Sequence, residues 1–254
     1  MQRHYITYFD KNYLARGLVL IKSLFENCAT PPTIFVICLD EITRVILNKI
    51  YQDRLILIPI HEIENADHEL LELKNTRSLV EYYWTLTPSI ILYVIKKHPK
   101  INILTYVDSD ICFFSNPGII YDSLGNNSIL IHEHNYSPRY KHLEQTSGKY
   151  NVGLMCFRND SIGIKALMWW REQCNSWCSL TPENGKFGDQ KYLEDFPKLF
   201  SSVTILNNDG CALAPWNYDN YTISNENGKL FSNDHPIVFV HFHSLIILNP
   251  LFFI

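Results

Sequence analysis

No apolar run in the 254 residues approaches the roughly 20 that a membrane-spanning helix needs. The opening stretch MQRHYITYFDKNYL has no basic segment followed by an apolar one, so no secretory leader is expected. No internal repeat, low-complexity tract or Gly/Ser/Pro-rich linker breaks the chain, which argues for a single domain spanning residues 1–254. Positive charge is not in excess either. The net charge is −4 with histidine neutral, which excludes bulk attraction to nucleic acid or anionic lipid, so any phosphate recognition must be local. Seven cysteines are present, but no second Cys/His pair accompanies Cys174 and Cys178 at zinc-site spacing. Those two lie on one expected helix face. The odd count, and apolar settings such as FVICLD, point to buried thiols in a reducing, cytoplasmic compartment.

What the chain does have is strand-like apolar runs separated by helical patterns. HYITYF, TIFVIC, RLILIPI, ILTYV, SILIH, VGLMCF and IVFVHF read as strands. Leu14, Leu18, Ile21 and Phe25 fall at the spacing of one helix face, a second helix is expected over 77–97, and a third follows FRNDS, with Asp160 or Ser161 as its cap. Strand–helix alternation over the first hundred residues predicts an α/β fold with a largely parallel sheet. The carboxyl-terminal SLIILNPLFFI is apolar for a chain end; it suits packing on the core, insertion at a membrane surface or continuation into a further element.

One run stands out. In TYVDSDICFF, Asp108 and Asp110 interrupt an apolar strand at its carboxyl end, where open α/β sheets bind ligands. Like charges so close repel unless solvated or neutralised, and a divalent cation such as Mg²⁺ or Mn²⁺ is the natural neutraliser for hard carboxylate oxygens. Asp-x-Asp alone is a weak motif, and a solvated turn is the plain alternative. Three further segments add weight. YNVGLMCF places Asn151 and Gly153 at the head of an apolar strand. GKFGDQKYLEDFP places Asp189 and Gln190 after a glycine, at the start of an expected helix. FVHFHSL places His241 and His243 on one strand face.

Taken in order, YITYFDKNYL, YVDSDICFFSNP, YNVGLMCFRND, GDQKYL and VHFH resemble the metal-dependent GT-A glycosyltransferases, especially the family 8-like group of glycogenin and the bacterial lipopolysaccharide galactosyltransferases. The resemblance covers nearly the whole chain. It implies a GT-A, Rossmann-like fold: a mostly parallel central sheet flanked by helices, with a nucleotide-binding half over 1–115 and a sugar- and acceptor-binding half over 116–254. It implies that Tyr8, Asp10 and Tyr13 hold the nucleotide base. Asp108 and Asp110 would bind Mn²⁺ (or Mg²⁺) and the donor diphosphate, Asn151 and Gly153 would contact the sugars, and Asp189 and Gln190 would line the transferred sugar. A late histidine, His241 or His243, would complete the metal shell; counting back from Asn249 favours His243, matching Val-His-Phe favours His241. The family's Lys-Pro-Trp after that histidine is missing, and Arg77 or Lys186 is the expected substitute for its lysine. LAPWNYDNY offers Trp216 as a stacking contact for the acceptor.

The activity so implied is retaining transfer of a hexose, most simply from a UDP-sugar, to a glycan or lipopolysaccharide-type glycolipid acceptor in bacterial polysaccharide assembly. Peripheral membrane association through the carboxyl terminus, at the inner membrane face, would suit such an acceptor. Two rival readings remain at this stage: a haloacid-dehalogenase-type phosphatase, whose nucleophile motif is also Asp-x-Asp after a strand, and a nucleotide-sugar-binding protein without turnover.

Overall fold

The computed structural model describes residues 2–249 and 252–253. Strand and helix alternate as the pattern predicts through β1 (His4–Phe9), α1 (Leu14–Asn27), β2 (Thr33–Cys38), α2 (Glu41–Tyr51), β3 (Ile56–Pro59), the short α3 (Ile60–Ala66) and α4 (His68–Leu73), the long α5 (Leu79–Lys97) and β4 (Ile103–Val107). Then come β5 (Ile111–Phe113), α6 (Gly118–Leu124), β6 (Ile129–Glu133), α7 (Leu143–Ser147), β7 (Tyr150–Arg158) and α8 (Ser161–Ser176). A 3₁₀ turn over Lys191–Asp195 leads into α9 (Phe196–Leu199) and β8 (Val203–Leu206). Short strands follow: β9 (Ile223–Glu226), β10 (Lys229–Ser232), β11 (His235–Pro236), β12 (Phe239–His241), β13 (Ile247–Asn249) and β14 (Phe252–Phe253).

Seven strands form one sheet in the order β3-β2-β1-β4-β7-β6-β8. Every pairing is parallel except the two made by β7, which runs against β4 and β6. The apolar runs are near-continuous because both sheet faces are covered. In β1, Tyr5 and Phe9 pack with Leu20, Ile21 and Leu24 of α1, while Ile6 points the other way, toward Leu86 and Ile90 of α5 and Trp170 of α8. The result is three layers, helix–sheet–helix.

Helix starts follow local chemistry. Asp40 caps α2 by accepting from Thr43 N at 2.7 Å. Ser78 and Glu81 form a capping box at α5. At α8 the cap is Asp160, which accepts from the backbone N–H of both Ile162 and Gly163. Two expectations shift. The buried face of α1 centres on Leu20, Ile21 and Leu24, with Leu14, Leu18 and Phe25 half-buried at its margins. The apolar stripe is wide, and contact with the sheet chooses its centre. Helix α8 stops at Ser176, so Cys178 lies past its end rather than one turn on from Cys174; both thiols are buried and free.

Among the described residues no helix is long and apolar enough to cross a membrane. The carbonyl of Leu245 accepts from Arg16 of α1 at 2.5 Å, and Ile246 is exposed. Pro250, Leu251 and Ile254 lie outside the described residues. The expectations for the apolar carboxyl terminus, and for Asn249-Pro250 in place of Lys-Pro, fall partly on them.

Candidate active site

Strand β4 ends at Val107, and Asp108 N donates to the carbonyl of Gly153 on β7 at 2.8 Å. The chain then turns, with Ile111 N on Asp108 O at 3.2 Å, and enters β5. β5 pairs antiparallel with β12, placing Ile111 opposite His241, and Phe242 N donates to Asp110 O at 2.9 Å. This small two-stranded ladder, built from distant parts of the chain, seats the late histidines over the acidic pair. His241 Nε2 lies 3.1 Å from an Asp110 carboxylate oxygen and 3.8 Å from one of Asp108. The other Asp108 oxygen accepts from the Tyr106 hydroxyl at 2.6 Å.

β12 ends at His241, so His243 is not on the same strand face but in the turn that follows, where Ser244 takes φ +61°. The turn nevertheless returns His243 to the cluster. One ligand atom each from Asp110, His241 and His243 lie within 4.8 Å of one another. No Lys or Arg among the described residues pairs with Asp108, Asp110 or Asp189. Two imidazoles and a carboxylate, without a competing cation from the protein, fit a divalent metal ion.

Asp189 sits in a turn ahead of the 3₁₀ segment, not in a helix. Trp170 Nε1 donates to its carbonyl at 2.8 Å. Gly188 before it takes φ +52° with Trp84 pressed so close that a Cβ would lie 2.9 Å from the ring, so only glycine suits both conditions. Gln190 is held at both ends of its amide: its Nε2 donates to Ser147 O at 2.9 Å and its Oε1 accepts from Asn151 Nδ2 at 3.4 Å. Asn151 Nδ2 also donates to His134 Nε2 at 3.1 Å, and Asn151 Oδ1 accepts from Gly153 N at 2.9 Å. Gly153 is small for a reason: a Cβ there would lie 2.5 Å from Asn151 Oδ1 and 2.8 Å from His241 Nδ1.

The ionisable groups respond to this crowding. Burial raises Asp108, and Asp110 adds to the shift although His241 opposes it. Asp110 is also pushed up by burial, but the charge of His241 and their hydrogen bond prevail and hold it below the usual carboxylate range. His241 resists the lowering effect of burial because Asp110 and Asp108 face it, so its value rises. Burial and the neighbouring His241 charge lower His243. Asp189 rises to about 7, through burial first and the Asp108 charge second.

Other residues had only a faint sequence signal. His132 and His134 form a second His-x-His, in IHEHNY. Burial lowers them to about 4 and about 3, so both are neutral. His134 stacks on Tyr136 at 4.6 Å and abuts Asn151, within the same polar chain as Gln190. A cavity of about 390 Å³ at the ends of β6 and β8 is lined by His132, Asn135, Asn207, Asp209, Asn217 and Tyr221.

Among the remaining expected residues, the Tyr8 hydroxyl donates to Tyr83 O at 2.9 Å, and burial, then Asp189 and Asp108, raise its pKa. Asp10 shapes the turn after β1, accepting from Asn12 N and Tyr13 N at 2.9 and 3.3 Å. Tyr13 is exposed, with the Arg16 guanidinium 4.6 Å from its ring centre. The Arg77 guanidinium donates to Thr85 Oγ1 and, at 2.5 Å, to Asn175 O, tying α5 to α8, and Lys186 lies over the Trp177 ring. Trp216 is not an open platform for an acceptor. It is 9% exposed, donates its indole N–H to His134 O at 2.9 Å, and stands edge-on to His241 and His243 at 5.4 Å each.

Comparison of whole structures gives the fold. The galactosyltransferase LgtC, solved in complex with donor and acceptor sugar analogues, matches with a TM-score of 0.61 at 16% identity, over 95% of this chain and 87% of that one. Mouse xyloside xylosyltransferase 1 matches at 0.59 and 14% identity, over 96% of this chain and 98% of its own. A glycosyltransferase involved in glycosylation of the major capsid of PBCV-1 matches at 0.53 and 12%, over 96% and 94%. The fold is therefore that of the GT-A, family 8-like glycosyltransferases. No family profile matches the chain. Bacillus subtilis YfnF is 33% identical over 256 residues, spanning 98% of this chain and 84% of YfnF, and YfnD of the same organism is 28% identical over 248 residues, spanning 97% and 79%. The chain belongs to the family of YfnF.

Proposed function

We propose that this protein is a metal-dependent glycosyltransferase that moves a hexose from a nucleotide diphosphate sugar, UDP-linked in the simplest case, to a glycan or glycolipid acceptor with retention of configuration. The observation that carries the reading is the convergence of Asp110, His241 and His243 beside Asp108 and Asp189 at the carboxyl end of the sheet. Tyr8, Asp10 and Tyr13, around the end of β1, hold the nucleotide. Asp108, Asp110, His241 and His243 would hold the ion, whose charge would offset the negative charge that gathers on the departing diphosphate.

The protein's own groups do the rest. Asp189 lies where the transferred sugar is expected, held by Trp170 and Gly188, and it orients the sugar and faces the positive charge developing at the anomeric carbon. Gln190 is a poor nucleophile, and both ends of its amide are occupied, so it positions rather than attacks; attack comes from the acceptor on the face the leaving group vacates. The cavity at the ends of β6 and β8, where asparagines and the carboxylates of Glu133 and Asp209 meet Ile205 and Leu206, is room for an acceptor. The haloacid-dehalogenase alternative falls with the fold, since here the acidic pair follows the fourth strand of a GT-A sheet.

The test is a melting-temperature panel of nucleotide sugars with and without Mn²⁺, joined to an assay of nucleoside diphosphate release. At least one sugar nucleotide is expected to stabilise the wild type only with the metal. Asp110→Asn is expected to lose that shift and about a hundred-fold of turnover. No metal-dependent shift for any sugar nucleotide overturns the reading. A shift without turnover on any acceptor, donor hydrolysis included, leaves the binding protein instead.

A further inference from the structure

His132 is buried beside the site yet has no part in holding the ion or the donor. It is 2% exposed at the end of β6, paired with Leu206 of β8 on one side and Asn151 of β7 on the other. Its ring stands edge-on to that of Phe239, 5.9 Å away and two residues before His241 on β12. Its Nδ1 lies 3.1 Å from the carbonyl oxygen of Glu133, which can only accept, so Nδ1 carries the ring proton. Burial holds the imidazole neutral, at about 4. Nε2 is therefore a bare acceptor, and among the described residues nothing donates to it. Buried polar atoms are as a rule satisfied, so an unpaired acceptor in the wall of a cavity is a place for a donor from outside.

The rest of that wall has the same bias. Glu133 and Asp209 add carboxylate oxygens, and no lysine or arginine lines the cavity. Lys149 reaches Glu133 from outside it at 3.0 Å, whereas Asp209 accepts only from the neutral amide of Asn233, at 2.7 Å. The amide donors of the wall are committed elsewhere. Asn217 Nδ2 donates to the carbonyls of His134 and Ala212, and Asn135 Nδ2 donates to the Tyr221 hydroxyl. The cavity thus presents acceptors and one unopposed negative charge.

We propose that this cavity makes the enzyme select a donor-rich acceptor, a neutral or amino-bearing sugar and not one carrying a carboxylate or phosphate, with His132 Nε2 accepting from a sugar hydroxyl and Asp209 setting the charge preference. This rests on the transferase reading above and narrows its acceptor. Hydroxyl and ammonium groups supply the donors that the wall lacks. A uronate or a phosphate brings further acceptors and a like charge, and both count against it beside Asp209.

The test uses the full chain with Mn²⁺ and no donor. Saturation-transfer NMR titrations are run with disaccharides ending in glucose, galactose, glucosamine, glucuronate or glucose 6-phosphate. They compare the wild type with Asp209→Asn, His132→Phe and His132→Gln. The Mn²⁺-dependent melting shift with the sugar nucleotide is recorded for each, and the ligand-free melting temperature is the folding control. Wild type is expected to bind neutral and amino-terminated saccharides at least about ten-fold more tightly than the acidic ones. Asp209→Asn, at a half-buried position and with an oxygen kept for Asn233, is expected to close most of that gap. His132→Phe is expected to weaken neutral saccharides about ten-fold, and His132→Gln, which keeps an acceptor, to recover most of the loss. None of the three is expected to move the donor shift. Acidic saccharides that bind as tightly as neutral ones overturn the inference. So does a gap that Asp209→Asn leaves unchanged, and so does a panel in which no saccharide binds. Full affinity in a folded His132→Phe removes His132 from the recognition. In each of these cases an intact donor shift leaves the transferase standing, whereas its absence from the wild type removes the transferase reading whatever the saccharides do.

Discussion

Gly153 concentrates the site's tolerances in one missing methyl group. The carbon that alanine would add falls 2.5 Å from Asn151 Oδ1 and 2.8 Å from His241 Nδ1. Neither neighbour is a free side-chain end: Asn151 is bonded to Gly153 N, His134 and Gln190, and His241 faces Asp110. Gly153→Ala is therefore expected to cost about 1–3 kcal/mol of stability. It should also weaken metal binding at least about ten-fold, because His241 must swing away from the carboxylates. Calorimetry on the metal-free and titrated variant measures both. Unchanged metal affinity would mean that His241 is not held where the cluster needs it. The sequence marked Gly153 as a small residue at a strand head. It did not show that the space is reserved for an imidazole from β12, because nothing local connects the two.

At the scale of elements, the β5–β12 ladder and the loop carrying Trp216 decide how the histidines are presented. Trp216 backs both rings and is tied to His134 O, a carbonyl that also accepts from Asn217 Nδ2 at 2.8 Å. Trp216→Phe keeps most of the ring contact and leaves that carbonyl bonded, so a loss of about 1 kcal/mol is expected with metal affinity near wild type. Trp216→Ala opens a cavity, with an expected cost of about 3–5 kcal/mol, and frees both histidines, so metal affinity falls with it. Melting curves and ion titrations separate this from an acceptor-contact role, under which both variants would raise the acceptor KM and spare the ion. The WNYDN run showed an aromatic in a loop; its inward turn depends on β6, which lies far away in the chain.

Whole-molecule stability carries the signature of the buried acid. Asp189 has a folded-state value of about 7, against an ordinary 3.8, through burial and then the Asp108 charge. Between those values the folded protein keeps a proton that the unfolded chain has released. The native state therefore binds more protons, and stability falls as pH rises across that window. Asparagine has no proton to lose. In metal-free buffer, the melting temperature of Asp189→Asn relative to wild type is expected to be near zero close to pH 4, to grow toward pH 7, and to level off above it at several degrees, of order ~5 °C. A difference that stays flat from pH 4 to 8 would show that Asp189 titrates normally and is not enclosed as the fold places it. Sequence reading expected Asp189 to line the transferred sugar but had no basis for its acidity, since burial is a property of the assembled layers.

Consecutive residues sufficed for what depends on near neighbours: the apolar runs that become β1, β2, β4 and β7, a cap for α8 at Asp160 or Ser161, and the acidic pair placed just past a buried strand. They sufficed because strand alternation, helix spacing and capping are set within a few residues. The tertiary structure alone decided that both late histidines meet Asp110, that Arg77 joins two helices, and that Trp216 faces inward. Each of these turns on pairing between segments far apart in the chain, where register and packing, rather than local pattern, determine which side chains meet.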